Sequence, residues 1–350
     1  MVEMEKLKSL KIIEYHFDRE YLERYFKLIL ELYKGYNGVE LYIQNMKRVL
    51  SESNPFFKNN KIWNYIAFDG LEVVGHISSI IDLKLFENNK IGMIGFFECI
   101  NDSKVSKLLI KKALERLRSW GCNIVRAPIN LSIWHNYRFT IVQNKKHIFY
   151  FEPLTKNYYP YFFLDGGFYE IENYYSAERI DFNTILDYAQ ENYLNLVKKG
   201  YKFRTGSTGS FHKDLISIYS LSKEVFKKSK NYVDISFEEF NYIYLDMEKE
   251  ANLNFLNIIS NPFGKDIGFC FSLENPLNPK IMILKTIGVL EEYQNNGIGA
   301  GLLYLQHKKA KDHGYDKFVY ALISEDTKIK KLPYPGAKVI RNYKLYEKQI

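Results

Sequence analysis

The sequence predicts an α/β protein of the α+β kind: two similar units in tandem, each a mixed, largely antiparallel sheet flanked by helices. Three observations predict it. The same order of helix-period and strand-period segments occurs twice along the 350 residues. "GFYEIENYY" from Gly167 and "GAKVIRNYK" from Gly336, near the ends of the two halves, share Gly, Ile, Asn and Tyr at matching offsets. With 46% hydrophobic residues, the chain also has material for more than one buried core.

In the first half, "KIIEYHFD" reads as a strand, and "REYLERYFKLILELYKG" and "VELYIQNMKRVLS" as amphipathic helices. "IWNYIAFDGLEVVGHISSII" is a hairpin turning at Asp69-Gly70, "IGMIGFFECI" a buried strand, and "SKVSKLLIKKALERLRSWG" a helix closed by Gly121. "NIVRAPI" supplies a further strand. An aromatic-rich stretch follows from Asn130 to Gly166; it fits either a substrate-cleft wall or a cover over an exposed sheet face.

"FNTILDYAQENYLNLVKKG" then reads as a connecting helix, and "YKFRTGSTGSF" as a strand and a Gly/Ser turn. The second half repeats the order: helices from His212 and Ser236, strands "LNFLNII", "DIGFCFSL" and "KIMILKTIGVL", a helix to Gly314, and strand "KFVYALIS". The expected organisation is a domain over 1–182, a connecting helix over 183–202, and a second domain over 203–350.

A formal charge of +8 suits an anionic partner, but Lys, Asn, Ile, Tyr and Phe are abundant throughout, as a base-biased genome produces, so charge alone identifies none. No basic stripe interleaved with aromatics stands out, and nucleic acid is not an expected partner. Cys99, Cys122 and Cys270 are odd in number and lack metal or redox spacing, and no pair of the seven histidines has metal spacing. His307 and His313, among lysines on one helix, read as a solvated face. The charged N-terminus has no signal-type apolar core, and no run reaches the roughly 18 apolar residues of a membrane span. A cytoplasmic protein without a metal or a membrane partner is expected.

Chemistry concentrates in "EEYQNNGIGAGLLY", from Glu291 to Tyr304, between a strand and a helix. Amides at a helix start meet the positive end of its dipole, so a glycine-bearing turn there suits phosphate. The stretch lacks the Gly-x-x-x-x-Gly-Lys of a P-loop and the third glycine of the dinucleotide fingerprint. Strand, then Gln294-Asn295-Asn296-Gly297-Ile298-Gly299-Ala300, then helix resembles the Gln/Arg-x-x-Gly-x-Gly/Ala turn of the Gcn5-related N-acetyltransferase (GNAT) superfamily. The resemblance covers about 200 to 350, and Glu291 stands where the family's lead-in carries Pro. It implies that residues Gln294 to Ala300 hold the pyrophosphate of acyl-coenzyme A, with Gly297 and Gly299 leaving room for it. It further implies that the main chain of Ile287 to Val289 pairs with the pantetheine arm and stabilises an oxyanion.

The first half passes from "IGMIGFFECI" to its helix through Asn101, Asp102 and Ser103 alone, without the glycine turn. It reads as a degenerate copy, left to help shape the acceptor site. Glu325 is a candidate general base, and the resemblance places a cofactor contact near Asp326, where relatives carry Asn. The pair also fits a helix N-terminus capped by Ser324. The family's general acid is a Tyr ahead of the last glycine; here Leu332 has that place and Tyr334 stands two residues on, with Tyr343 and Tyr346 further away. The resemblance implies transfer of an acetyl group from acetyl-CoA to an amine on a small molecule or peptide, by direct attack in a ternary complex. A non-catalytic acyl-CoA sensor or scaffold is the alternative.

Overall fold

In the computed structural model, which describes residues 9–141, 149–244, 252–325 and 336–350, the first strand ends at Tyr15 and Asp18 caps the start of the first helix. Its side chain accepts from the amides of Glu20 and Tyr21, satisfying two donors that a helix start leaves open. Contacts divide the chain into two units, Met1–Asn173 with Tyr343–Ile350, and Tyr174–Asn342.

The first unit runs β1 (Leu10–Tyr15), α1 (Arg19–Leu32), α2 (Val39–Val49), β2 (Lys61–Asp69), β3 (Glu72–Ile81), α3 (Leu83–Asn89), β4 (Ile91–Cys99), α4 (Ser103–Ser119), β5 (Ile124–Ala127), β6 (Phe139–Thr140) and α5 (Tyr159–Asp165). β1 to β4 pair antiparallel in sequence order and β4 pairs parallel with β5. Val105, Leu109, Ala113 and Leu117 of α4, spaced by four, are all fully buried in this unit's core. Much of the aromatic-rich stretch is core too: Phe139, Tyr159 and Phe163 join Phe97, with Phe97 to Tyr159 and Phe97 to Phe163 centroid distances of 4.9 and 5.0 Å.

The second unit holds most of β7 (Tyr169–Arg179), then α6 (Phe182–Lys198), β8 (Lys202–Thr205), α7 (Phe211–Phe226), α8 (Phe237–Tyr244), β9 (Leu256–Ser260), β10 (Asp266–Glu274), β11 (Ile281–Val289), α9 (Ile298–Asp312) and β12 (Lys317–Ser324). Its strand order is β8-β9-β10-β11-β12-β7, with only β11–β12 parallel. The helix read as a connector is a core element here. Phe182, Leu186 and Leu196 of α6 are buried in this unit's cluster, and Tyr193 stacks on Tyr304 of α9 at 4.9 Å.

The two echoing segments are long strands, β7 and β13 (Lys338–Gln349), and each passes from one unit to the other. Tyr174–Arg179 of β7 pairs with β12, whereas Tyr346–Gln349 of β13 pairs with β5 and Tyr343–Lys344 with β6. The strand that completes each sheet therefore comes from the other half of the sequence, unlike a plain division into 1–182 and 203–350.

One side-chain expectation is corrected. His313 is exposed, but His307 is fully buried, bonded through Nε2 to the Tyr320 hydroxyl at 2.8 Å and stacked on Phe318. The lysines around it mark the solvent side of α9, and the sheet covers the face His307 shares with Leu303 and Ala310. Burial holds the His307 imidazole down to about 3, so it stays neutral.

Candidate functional site

The site forms where two parallel strands part. β11 and β12 pair only from Ile281–Lys317 to Leu284–Tyr320, although both continue. Two irregularities separate them: Lys285 is the extra residue of a bulge against β10, and the β12 register against β7 shifts between Tyr320 and Ile323. Leu322, at φ 56°, turns the β12 main chain, and its amide donates to the buried Ser176 hydroxyl at 2.9 Å. Past Leu284, β11 is held on one edge only.

Main-chain groups on a strand alternate in direction. Leu290 N donates to Ile267 O at 2.9 Å, on the β10 side, so the amides of Val289 and Ile287 face the released edge. The side chain of Gln294 donates to Val289 O at 3.0 Å and fixes the turn to the strand end. Lys285 reaches the Tyr244 hydroxyl at 3.1 Å, with its ammonium 4.3 Å from that ring.

The turn then folds back in a short 3₁₀ segment, Glu291–Tyr293. Asn295 and Gly297 take positive φ, 64° and 77°. Gly297 is the N-cap of α9 and supplies no side-chain bond, while the Gly301 amide makes the first intrahelical bond, to Gly297 O. The amides of Ile298, Gly299 and Ala300 therefore lie at the open start of the helix, at the positive end of its dipole. Glu291 and Glu292, which would repel an anion there, pair with Lys228 at 2.7 Å and Lys265 at 3.2 Å. A Cβ on Gly297 would come 2.4 Å from Asn192 Oδ1 of α6, so this glycine serves the turn and the close approach of α6.

The equivalent places in the first unit are filled from within. β4 pairs with β5 over Ile91–Met93, and then the chain itself closes the edge. Ile129 N donates to Ile94 O at 2.8 Å, and Asn130 Oδ1 accepts from Phe96 N at 2.7 Å. Side-chain space is absent there, since a Cβ on Gly95 would lie 2.3 Å from Ile129 O. At the α4 start, the Asp102 carboxylate accepts from Lys104 N at 2.7 Å and Val105 N at 3.3 Å, where α9 leaves its amides open.

Thus Ile287, Val289 and the turn from Gln294 through Asn295, Asn296, Gly297, Ile298 and Gly299 to Ala300 follow one another along the chain, with Asn295 and Asn296 exposed and the side chains of Ile298 and Ala300 buried. Glu325 follows the C-terminal end of β12, the end at which parallel β11 enters the turn, and is exposed. Asp326 and Tyr334 lie outside the described residues. Among the described residues no group of side chains suits a metal ion, and no helix is long and apolar enough to cross a membrane.

Reading by motif missed Glu98. It is the one acid in the otherwise apolar β4, 2% exposed, and it accepts from the Tyr159 hydroxyl at 2.6 Å. Burial pushes its carboxyl up to about 8. A lone Glu inside "IGMIGFFECI" was the available signal.

No family model matches the sequence, and no curated protein is similar to it. Solved structures do resemble the chain. A GCN5-related glucosamine N-acetyltransferase region of a fungal multi-domain GH3 beta-N-acetylglucosaminidase superposes with TM-score 0.61 and 14% identity over 97% of this chain; this chain spans 38% of that one. A tandem GNAT protein from the clavulanic acid biosynthesis pathway gives 0.61 and 11% identity, covering 97% of this chain and 98% of that one. A probable N-acyltransferase from Enterococcus faecalis V583 gives 0.59 and 9%, covering 98% and 73%. These likenesses show the fold: two GNAT-type units in tandem.

Proposed function

We propose that this chain, folded as a tandem GNAT protein, is an N-acyltransferase that carries an acetyl group from acetyl-CoA to an amine on a small molecule or peptide. The observation that carries the reading is the contrast between units. In the second, a released strand edge leads into a helix start whose amides are open; in the first, Asn130 and Asp102 occupy both places. A diphosphate suits the amides from Asn295 to Ala300, and an extended amide-bearing arm suits the edge at Ile287 and Val289.

Direct transfer needs an amine free of its proton, an anchored thioester and a donor for the carbonyl oxygen as it gains charge. The β11 amides facing the released edge supply that donor. Glu325 takes the amine proton through water, and Tyr334 or water returns one to the thiolate, an undemanding step for a thiol titrating at ~8.5. Asp326 adds a contact to the coenzyme.

Thermal unfolding with and without acetyl-CoA, paired with thiol release across an amine panel, tests the reading. Saturation at a hundred times Kd should add about 2.7 kcal/mol of stability, and at least one amine should release thiol. Stabilisation without turnover would favour an acyl-CoA sensor, the reading that Leu332 in the place of the family's Tyr suits. Neither effect would overturn both.

A further inference from the structure

We infer that the hairpin tip between β9 and β10 docks the second unit on an anionic lipid bilayer, with Phe263 entering the headgroup boundary and lysines at the foot of the tip meeting the lipid phosphates. The inference goes beyond acyl transfer and depends on no coenzyme. It departs from the expectation that no membrane is a partner, which rests on the lack of spans and signals in the sequence; a protein held at a bilayer surface needs neither.

The tip holds an aromatic ring out in water. Phe263 is 95% exposed, more than any other large apolar side chain among the described residues. The buried Asn261 orders the tip around it: Oδ1 accepts from the amides of Phe263 and Lys265, both at 3.0 Å, and Asn261 N donates to Lys265 O at 2.8 Å. Gly264 completes the turn at φ 86°. Asn261 Nδ2 donates to the Tyr293 hydroxyl at 3.0 Å, which fastens the tip to the 3₁₀ segment Glu291–Tyr293. These bonds use Asn261 and the main chain alone, so none of them requires a ring at position 263. The ring is also not isolated. A Cβ on Gly200 would lie 3.5 Å from Pro262 Cβ, so the end of α6 abuts the tip, and the last turns of that helix expose Leu194 and Val197. Apolar surface gathered in this way marks a contact with a partner.

Charge selects the partner. Lys198 and Lys199 close α6, and Lys202 of β8 stands opposite Ser260, the last residue before the tip. All three are exposed, and among the described residues they make no ion pair. The acids beside them are engaged: Asp266 by Arg204 at 2.8 Å and Glu292 by Lys265 at 3.2 Å. Glu191 of α6, which has no such partner, lies about 10 Å before Lys198 along the helix. The equivalent hairpin of the first unit shows the contrast. Leu71 at its tip is 89% exposed but stands between Asp69 and Glu72, which an anionic surface would repel. An anionic bilayer meets both features of the Phe263 tip, offering phosphates to the lysines and an apolar boundary just beneath them. RNA would use the lysines but has no apolar layer for Leu194 and Val197.

Co-sedimentation of the full chain with vesicles of phosphatidylcholine alone, or containing about 30% phosphatidylglycerol, in ~0.1 M salt measures the docking. The chain should bind the anionic vesicles and not the neutral ones. Phe263→Ser should weaken that binding about ten-fold. Lys198→Gln, Lys199→Gln and Lys202→Gln combined should weaken it about a hundred-fold, while Leu71→Ser changes nothing. In Phe263→Trp, emission relative to the wild type should shift to the blue when anionic vesicles are added. Absence of binding to anionic vesicles, binding unchanged in Phe263→Ser, or no blue shift in Phe263→Trp would each overturn the inference. So would a dimer in solution that Phe263→Ser dissociates, because the tip would then serve a second copy of the chain. With no coenzyme present, any of these failures leaves the acyl-transfer reading standing.

Discussion

Single residues decide which helix start is open. Asp102 fills the α4 start, so Asp102→Ala should cost about 1 kcal/mol in denaturant unfolding and leave coenzyme binding unchanged. An effect on CoA affinity would contradict the assignment of the coenzyme to the other unit. Glu98 sets a pH dependence whose sign follows from its raised position. A carboxyl at about 8 when folded and near 4.5 when unfolded holds more protons in the native state between those values, so its contribution to stability declines as pH rises from about 5 to 8. Buried His76, held down to about 4, and His307, held to about 3, act oppositely, losing stability as pH falls below 6.5. Glu98→Gln should therefore gain on the wild type progressively from pH 5 to pH 8 in melting temperature, and a constant difference would contradict the buried neutral acid. The turn residues from Gln294 to Ala300 were legible because glycine and helix-dipole requirements are local. Glu98 was not, since its partners Tyr33, Tyr42 and Tyr159 come from distant elements.

At the scale of elements, the parting of β11 from β12 is the structural basis of the candidate site, and in the first unit Ile129 and Asn130 close the equivalent edge. Asn130→Ala would leave the Phe96 amide without its side-chain acceptor and should cost about 1–3 kcal/mol, with no second CoA site appearing. Strands such as β4, β10 and β11 were readable as apolar runs, and α1 and α4 as helix-period stripes. β6 and α5 were not, because the aromatic-rich stretch has no clear period and its rings are placed by the core they enter. α6 was legible as a helix but not as a core helix of the second unit: its partners Gly301 and Tyr304 lie over a hundred residues further on, and no local pattern records that contact.

For the whole molecule, the exchange of β7 and β13 ties each unit's fold to the far half of the sequence. Removing 343–350 takes away the strand that pairs with β5 and β6, so it should unfold the first unit, read as lost amide protection in β4 and β5, although the cut is at the C-terminus. Protection retained there would contradict the topology. The echo between Gly167 and Gly336 hinted at equivalent strands, but strand partners depend on long-range pairing that a repeat does not specify. The central claim is that one turn, at the start of α9, holds the coenzyme. Calorimetric titration of CoA into the wild type and into Gly297→Asp, after confirming that the variant melts cooperatively, tests it most directly. The account predicts one CoA per chain, lost in the variant; two per chain, or undiminished affinity in Gly297→Asp, would contradict it.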